Sequence, residues 1–204
     1  MGVNLPRRIL ILFAHPVLRK SRINRRLLAA ARTVEGVTVR DLYEEYSDFM
    51  IDVAKEQELL RTHEVILFQH PFYWYSCPSI LKEWLDLVLE HGFAYGENGR
   101  AMEGKWQASV ISTGGPEEAY QIEGYNRFTV RQLLAPFEQT ARLCRMVWLP
   151  PFLVQGSFAL DKAELERHAA GYVKVLELLR DGTVPVSELA GLERLNAAVE
   201  GGRS

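Results

Sequence analysis

Two short stretches constrain this chain more than any other feature. Residues 9–14 read Ile-Leu-Ile-Leu-Phe-Ala and residues 65–68 read Val-Ile-Leu-Phe. Neither alternates apolar with polar, as a strand with one wet face would. Continuous runs of this kind predict strands covered on both faces, which belong in parallel sheets clad by helices. Each run closes on the same pair, His15 and Pro16 after the first, His70 and Pro71 after the second. Proline has no N–H for a ladder, so each pair marks the end of a strand and the start of a connection.

The rest of the chain alternates in the same manner. Residues 37–41 predict the second strand, 64–70 the third and 105–112 the fourth; 146–149 and 152–154 carry the fifth. Between them lie helical stretches. Ser21 is placed to cap residues 24–32, whose Ile23, Leu27, Leu28 and Ala31 share a side. Residues 52–61 are polar and helical. Ser76 and Pro78 open a stripe of Ile80, Leu81, Trp84, Leu85 and Val88. Residues 127–144 are helical with Pro136 as a kink or break, and 161–180 form a long helix. Five strands alternating with helices predict an α/β, flavodoxin-like three-layer sandwich with a parallel sheet in the order 2-1-3-4-5. The expected organisation is one domain over residues 1–182 and a tail over 183–204, either carrying a short helix across 187–199 or loose. Ligands of such sheets bind outside the carboxyl ends of the strands, where the order reverses between strands 1 and 3. Both His-Pro pairs fall there.

Charge and motifs remove several classes of function. The 24 basic and 26 acidic residues leave a formal net charge of -2, no global attraction for nucleic acid or an anionic membrane. Two cysteines, Cys77 and Cys144, cannot build a disulfide framework. The apolar run at 9–14 is too short to span a bilayer and has no small-residue cleavage site after it, so the expected location is the cytoplasm. The five histidines show no metal-ligand spacing, and no metal is expected. Neither G-x-G-x-x-G, a Walker loop, a G-x-S-x-G elbow nor Cys-x5-Arg occurs.

Three connections remain as carriers of chemistry. In the first, His15 to Asn24, backbone amides, the Ser21 hydroxyl and the Asn24 side chain stand at a helix N-terminus, with Arg19, Lys20, Arg22, Arg25 and Arg26 close by. The arrangement suits a phosphate; it equally describes a plain cap with a solvated basic face. In the second, Phe72, Tyr73, Trp74 and Tyr75 run together. They either cover something flat, pack beneath a neighbouring loop, or meet another subunit. In the third, Ser112, Thr113, Gly114 and Gly115 follow a parallel strand, where two glycines allow close backbone approach to a ligand or simply a tight turn.

Taken in order, these motifs resemble the flavin-dependent NAD(P)H:quinone oxidoreductase family. The features are His15-Pro16, Ser21-Arg22-x-Asn24, His70-Pro71 with residues 72–75, Leu81-Lys82-x-Trp84-Leu85-Asp86 and Thr113-Gly114-Gly115, and the likeness covers residues 8–180. Within that family, residues 41–43, 68–71, 75–87 and 144–150 are similar to ancillary proteins of glutathione-gated potassium efflux antiporters. The resemblance implies a bound FMN or FAD. His15, Ser21, Arg22 and Asn24 would hold its phosphate, Phe72, Tyr73, Trp74 and Tyr75 its ring, and Ser112, Thr113, Gly114 and Gly115 the ring's polar edge. It further implies a homodimer, NADH or NADPH as electron donor, a quinone acceptor and a membrane antiporter as partner. One position departs from the pattern: active quinone reductases carry a Tyr and, six residues on, a His. Here Tyr120 fits the first, and Asn126 stands at the second. Asparagine is no acid at neutral pH, so turnover is expected to be slow and a regulatory docking role competes with catalysis. A simple electron carrier fits less well, because the connections 92–104 and 116–126 are long enough to wall in a substrate.

Overall fold

Alternate residues of β1 (Ile9–Phe13) enter opposite layers. Ile9, Ile11 and Phe13 join one core, Leu10 and Leu12 the other, and all five are inaccessible to solvent. A strand without a wet face requires both cores. β1 lies parallel between β2 (Val37–Asp41) and β3 (Val65–Pro71), and β3 continues to β4 (Trp106–Ser112). The order β2-β1-β3-β4-β5 in this computed structural model, which describes residues 5–200, is the flavodoxin-like order expected from the sequence.

The expected fifth strand is two. β5 (Val147–Trp148) pairs with the start of β4 and β6 (Phe152–Val154) with its end, along the same edge. Pro150 and Pro151 stand between them. Two successive residues without N–H cannot sustain a ladder, and the strand is interrupted there.

One face of the sheet is covered by α1 (Arg22–Ala31) and α7 (Lys162–Asp181). The other is covered by α2 (Leu42–Glu45), α3 (Val53–Arg61), α4 (Ser79–Val88), α5 (Val130–Leu133) and α6 (Ala135–Leu143). The helical stretch expected over 127–144 is thus broken at Leu134, and Pro136 sits in the first turn of α6, where its missing N–H does no harm. Gly182, left-handed at φ 62, ends α7. Beyond it come two short helices, α8 (Val186–Ala190) and α9 (Ala197–Glu200), with Leu189 and Leu195 buried in the α1–α7 core.

The polar helix α3 hides a charge. Glu56 is fully buried and accepts hydrogen bonds from Arg40 Nε at 2.8 Å, the Tyr46 hydroxyl at 2.7 Å and Trp84 Nε1 at 2.9 Å. Arg40 also meets Glu45 at 2.6 Å. The cluster joins β2, α3 and α4 beneath the sheet. Burial, reinforced by the hydrogen bond to Glu56, pushes the Tyr46 phenol up to about 12. Removing one member strands the others without water. Glu56→Ala is therefore expected to lower stability to urea by about 3–5 kcal/mol. Glu58→Ala, on the exposed side of the same helix, should change it by no more than about 0.5 kcal/mol.

Candidate functional site

Three connections leave the sheet at the carboxyl ends of β1, β3 and β4, and they enclose a cavity of about 400 Å³. His15, Lys20, Ser21, Arg22 and Asn24 line it from the first connection, Phe72 and Tyr73 from the second, Ser112 and Gly114 from the third.

The first connection turns through Leu18–Lys20 and enters α1 with Ser21 as its cap. The Ser21 hydroxyl oxygen accepts from the Asn24 backbone N–H and from Asn24 Nδ2, both at 3.1 Å. The same Nδ2 donates to Ser112 Oγ at 2.9 Å, so one buried amide ties the start of α1 to the tip of β4. Both Asn24 donors are spent on protein, while its Oδ1 is buried without a partner among the described residues. Ser21 and Ser112, each accepting from Asn24, keep their own O–H hydrogens to donate into the cavity. His15 Nδ1 accepts from the Val17 N–H at 3.1 Å, which places the proton of the neutral ring on Nε2. Burial lowers the His15 pKa and keeps that ring neutral at pH 7. Of the five basic side chains, Lys20 and Arg22 line the cavity, and Arg22 also donates to the Leu160 carbonyl. Arg26 is paired with Glu166 at 2.6 Å, and Arg19 and Arg25 face solvent outside the cavity.

The aromatic connection divides. Phe72 is buried, and Tyr73 stands edge-on to His15 with ring centroids 6.1 Å apart. Trp74 and Tyr75 do not line the cavity. They adopt left-handed backbone, φ 50 and φ 60, a conformation that costs a non-glycine residue on the order of 1 kcal/mol or more. Trp74 is 93% exposed. Tyr75 turns back to donate its hydroxyl to Asn126 Oδ1 at 3.1 Å. Tyr120 is buried against Phe72 at 6.1 Å and lies under Gly115, where an added Cβ would come within 3.2 Å of its ring. Burial raises the Tyr120 phenol above its ordinary value. Tyr120 beside Phe72, and Asn126 bonded to Tyr75, thus lie outside the lining of the cavity.

In the third connection the Thr113 hydroxyl, buried and outside the cavity, donates to the Gly115 carbonyl at 2.7 Å. No acceptor among the described residues meets the amides of Gly114 and Gly115. A Cβ on Gly114 would sit 2.7 Å from the ring of Phe158, which with Ser157 closes the cavity from the loop after β6. Neither Ser157 nor Phe158 was expected from the sequence. The signal available was position alone: in a parallel sheet the loop after β6 opens beside the Gly-Gly turn.

The two His-Pro pairs are alike in sequence and opposite in role. His70 is fully buried, stacks on Phe137, and uses Nδ1 against the Pro71 carbonyl at 2.9 Å. Its Nε2 has no partner among the described residues, and burial pushes its pKa down to about 4. A folded-state value below the unfolded one means that acid favours unfolding, so the stability is present above the unfolded value and falls as pH drops toward 4. Between pH 6.5 and 4 the chain should lose about 3 kcal/mol more than His70→Leu does, read by urea titration at stepped pH.

Among the described residues no group of three His, Cys, Asp or Glu stands ready for a metal, and no helix is long and apolar enough to cross a membrane. Residues 7–176 match the family model described as flavodoxin-like fold. A relative from Serratia proteamaculans (strain 568), named glutathione-regulated potassium-efflux system ancillary protein KefG, is 53% identical over 167 residues, 82% of this chain and 91% of that one. The general stress protein 14 of Treponema denticola, solved in complex with FMN, matches with TM-score 0.81 and 39% identity over 84% of this chain and 99% of its own. An NADPH-quinone reductase structure from P. pentosaceus matches with TM-score 0.75 and 34% identity over 82% and 96%. With its strand order and its cavity at the point where that order reverses, the chain belongs to the flavodoxin-like fold family, beside relatives named as potassium-efflux ancillary proteins and structures named as quinone reductases.

Proposed function

We propose that this chain binds FMN in the cavity and acts as an NAD(P)H:quinone oxidoreductase that serves a glutathione-gated potassium efflux antiporter. The observation that carries the reading is the donor set of a single cavity. From the first connection come Lys20, Arg22, the N-terminus of α1 and the Ser21 hydroxyl; from the third comes Gly114, whose amide is unengaged, with the unengaged amide of Gly115 next in the chain, outside the lining. Its volume is of the size that small-molecule sites have. The residues fit an elongated ligand with an anionic end and a flat polar end, and FMN is such a molecule. The neighbour solved with FMN supports that flavin over FAD. Lys20, Arg22, Ser21 and the His15 Nε2–H would hold the phosphate. Phe72 and Tyr73 would meet the ring, and the two glycine amides would face its polar edge.

Bound there, a flavin supplies the hydride chemistry between NADH or NADPH and a quinone. The chain supplies the surroundings. Amides aimed at one edge stabilise negative charge gathering there, as preorganised donors do. Tyr120, kept protonated by burial, offers a hydrogen bond to an acceptor. Asn126, its carbonyl engaged by Tyr75, has only N–H to offer and no proton to release. That same contact favours the second reading, in which flavin binding persists for docking on the antiporter while turnover is vestigial. The outward aromatic rings, with Trp74 and Phe158 almost wholly exposed, support a homodimer that covers them.

Purified protein is expected to take up FMN, with Arg22→Ala and Ser21→Ala each weakening binding about tenfold by flavin fluorescence titration. Protein that stays colourless with added FMN overturns the reading. Asn126→His is expected to raise the rate of quinone reduction by at least about tenfold in a stopped-flow assay, the gain a positioned proton donor brings. In a deletion strain, restoration of potassium efflux by an Arg22→Ala, Ser21→Ala double variant shown by fluorescence to carry no FMN would favour docking over catalysis.

A further inference from the structure

We propose that the C-terminal segment, residues 183–200, is a strap that sets the position of the loop carrying Tyr120 and Asn126, and that Arg194 is its positioning residue. The segment lies beyond residue 176, where the family match ends. It is anchored first by burial of Leu189 and Leu195. It then runs along the outer edge of β6, held by one backbone hydrogen bond and by the side-chain amide of Asn196. Leu195 N–H donates to the Pro151 carbonyl at 2.9 Å; Asn196 accepts from the Leu153 N–H at 2.8 Å and donates to the Leu153 carbonyl at 2.9 Å.

From that anchorage two ties reach the loop. Arg194 donates to Glu117 Oε2 at 2.9 Å, and Glu117 opens the short turn that ends in Tyr120. Arg131, at the far end of the loop on α5, donates to the Leu192 carbonyl at 2.5 Å. The loop is therefore held at both ends by the strap, and a cavity of about 490 Å³ with Tyr120 in its wall lies between them. Within the loop Ile122, Tyr125 and Phe128 are exposed, so little buried apolar surface fixes its position. The strap's hold also extends to the glycine turn through β6, since Thr113 N–H donates to the Val154 carbonyl at 3.0 Å and Gly156 N–H to the Gly115 carbonyl at 2.9 Å. Tyr120 sits where these two paths meet.

The turnover part of this inference rests on the proposed quinone reductase activity; the loop part does not. The test uses the full chain with Arg194→Ala, Arg194→Lys and Glu117→Gln. Hydrogen exchange is followed over residues 117–128, and steady-state kinetics are run on FMN-loaded protein with NADPH and menadione. Arg194→Ala and Glu117→Gln are expected to speed exchange in the loop and to raise KM for menadione, each by about two- to five-fold, the size a partly exposed ion pair carries. FMN affinity and exchange in β1 and β3 should stay at wild-type values, and Arg194→Lys should restore most of both effects. Loop exchange and KM unchanged in both Arg194→Ala and Glu117→Gln overturn the proposal, as does faster exchange spread evenly over the sheet, which marks a merely structural role. If wild type neither takes up FMN nor turns over menadione, the functional reading fails, and the exchange comparison still decides whether the strap holds the loop.

Discussion

One buried amide sets the chemistry of the cavity. Asn24 gives one N–H of its side chain to Ser21 and another to Ser112, and in doing so fixes the distance between the first turn of α1 and the end of β4. It also decides what those hydroxyls are. An oxygen already accepting a hydrogen bond keeps its own hydrogen free to donate, and both of these residues line the cavity. Together with the helix terminus, two cations and the Gly114 amide, they make a wall of donors. The cavity thus sets donors for electron-rich atoms beside the apolar surface of Ile23, Phe72 and Phe158, and the proposed flavin reading rests on that combination.

Much of this was legible in the residues. The apolar runs ending at Phe13 and Phe68 could belong only to strands covered on both faces, and the alternation of strands with helices then left few sheet orders open. Ser21 as a cap followed from its place before an amphipathic stretch. What could not be read was direction. The four adjacent aromatics look equivalent as letters, yet the backbone at Trp74 and Tyr75 swings left-handed and sends two of them away from the cavity. His15 and His70 both stand before proline, and one faces the cavity while the other stacks in the core, because His70 still belongs to β3, in register with Ile111, whereas His15 lies two residues past the end of β1. Phe158 was invisible for a different reason: its place over Gly114 exists only after β6 has been laid beside β4.

The same limit hid Glu56. A helix of sequence Val-Ala-Lys-Glu-Gln-Glu-Leu-Leu-Arg looks solvated, and its hydropathy offers no hint that the first glutamate lies at the centre of a cluster with Arg40, Tyr46 and Trp84. Buried charge is tolerated when every partner is in place. That condition is set by residues from β2 and α4 as well as α3, so it is a property of the assembled fold and not of the segment. The tail beyond Gly182 is comparable. Its leucines 189 and 195 mark it as more than a loose end only when the core that receives them is known.

The divided outer strand has a consequence for how copies of this protein can come together. A sheet edge of unpaired peptide groups is an invitation to polymerise, since any extended chain can add to it. Here Pro150 and Pro151 remove two hydrogens from that edge, and the side chain of Asn196 occupies the groups of Leu153 that a visiting strand would need. Growth of the sheet outward from this border is blocked by chemistry at one point and by occupation at the next. Any assembly on this side must be made through side chains on helices and loops, which can be matched to one partner, instead of through backbone, which matches everything.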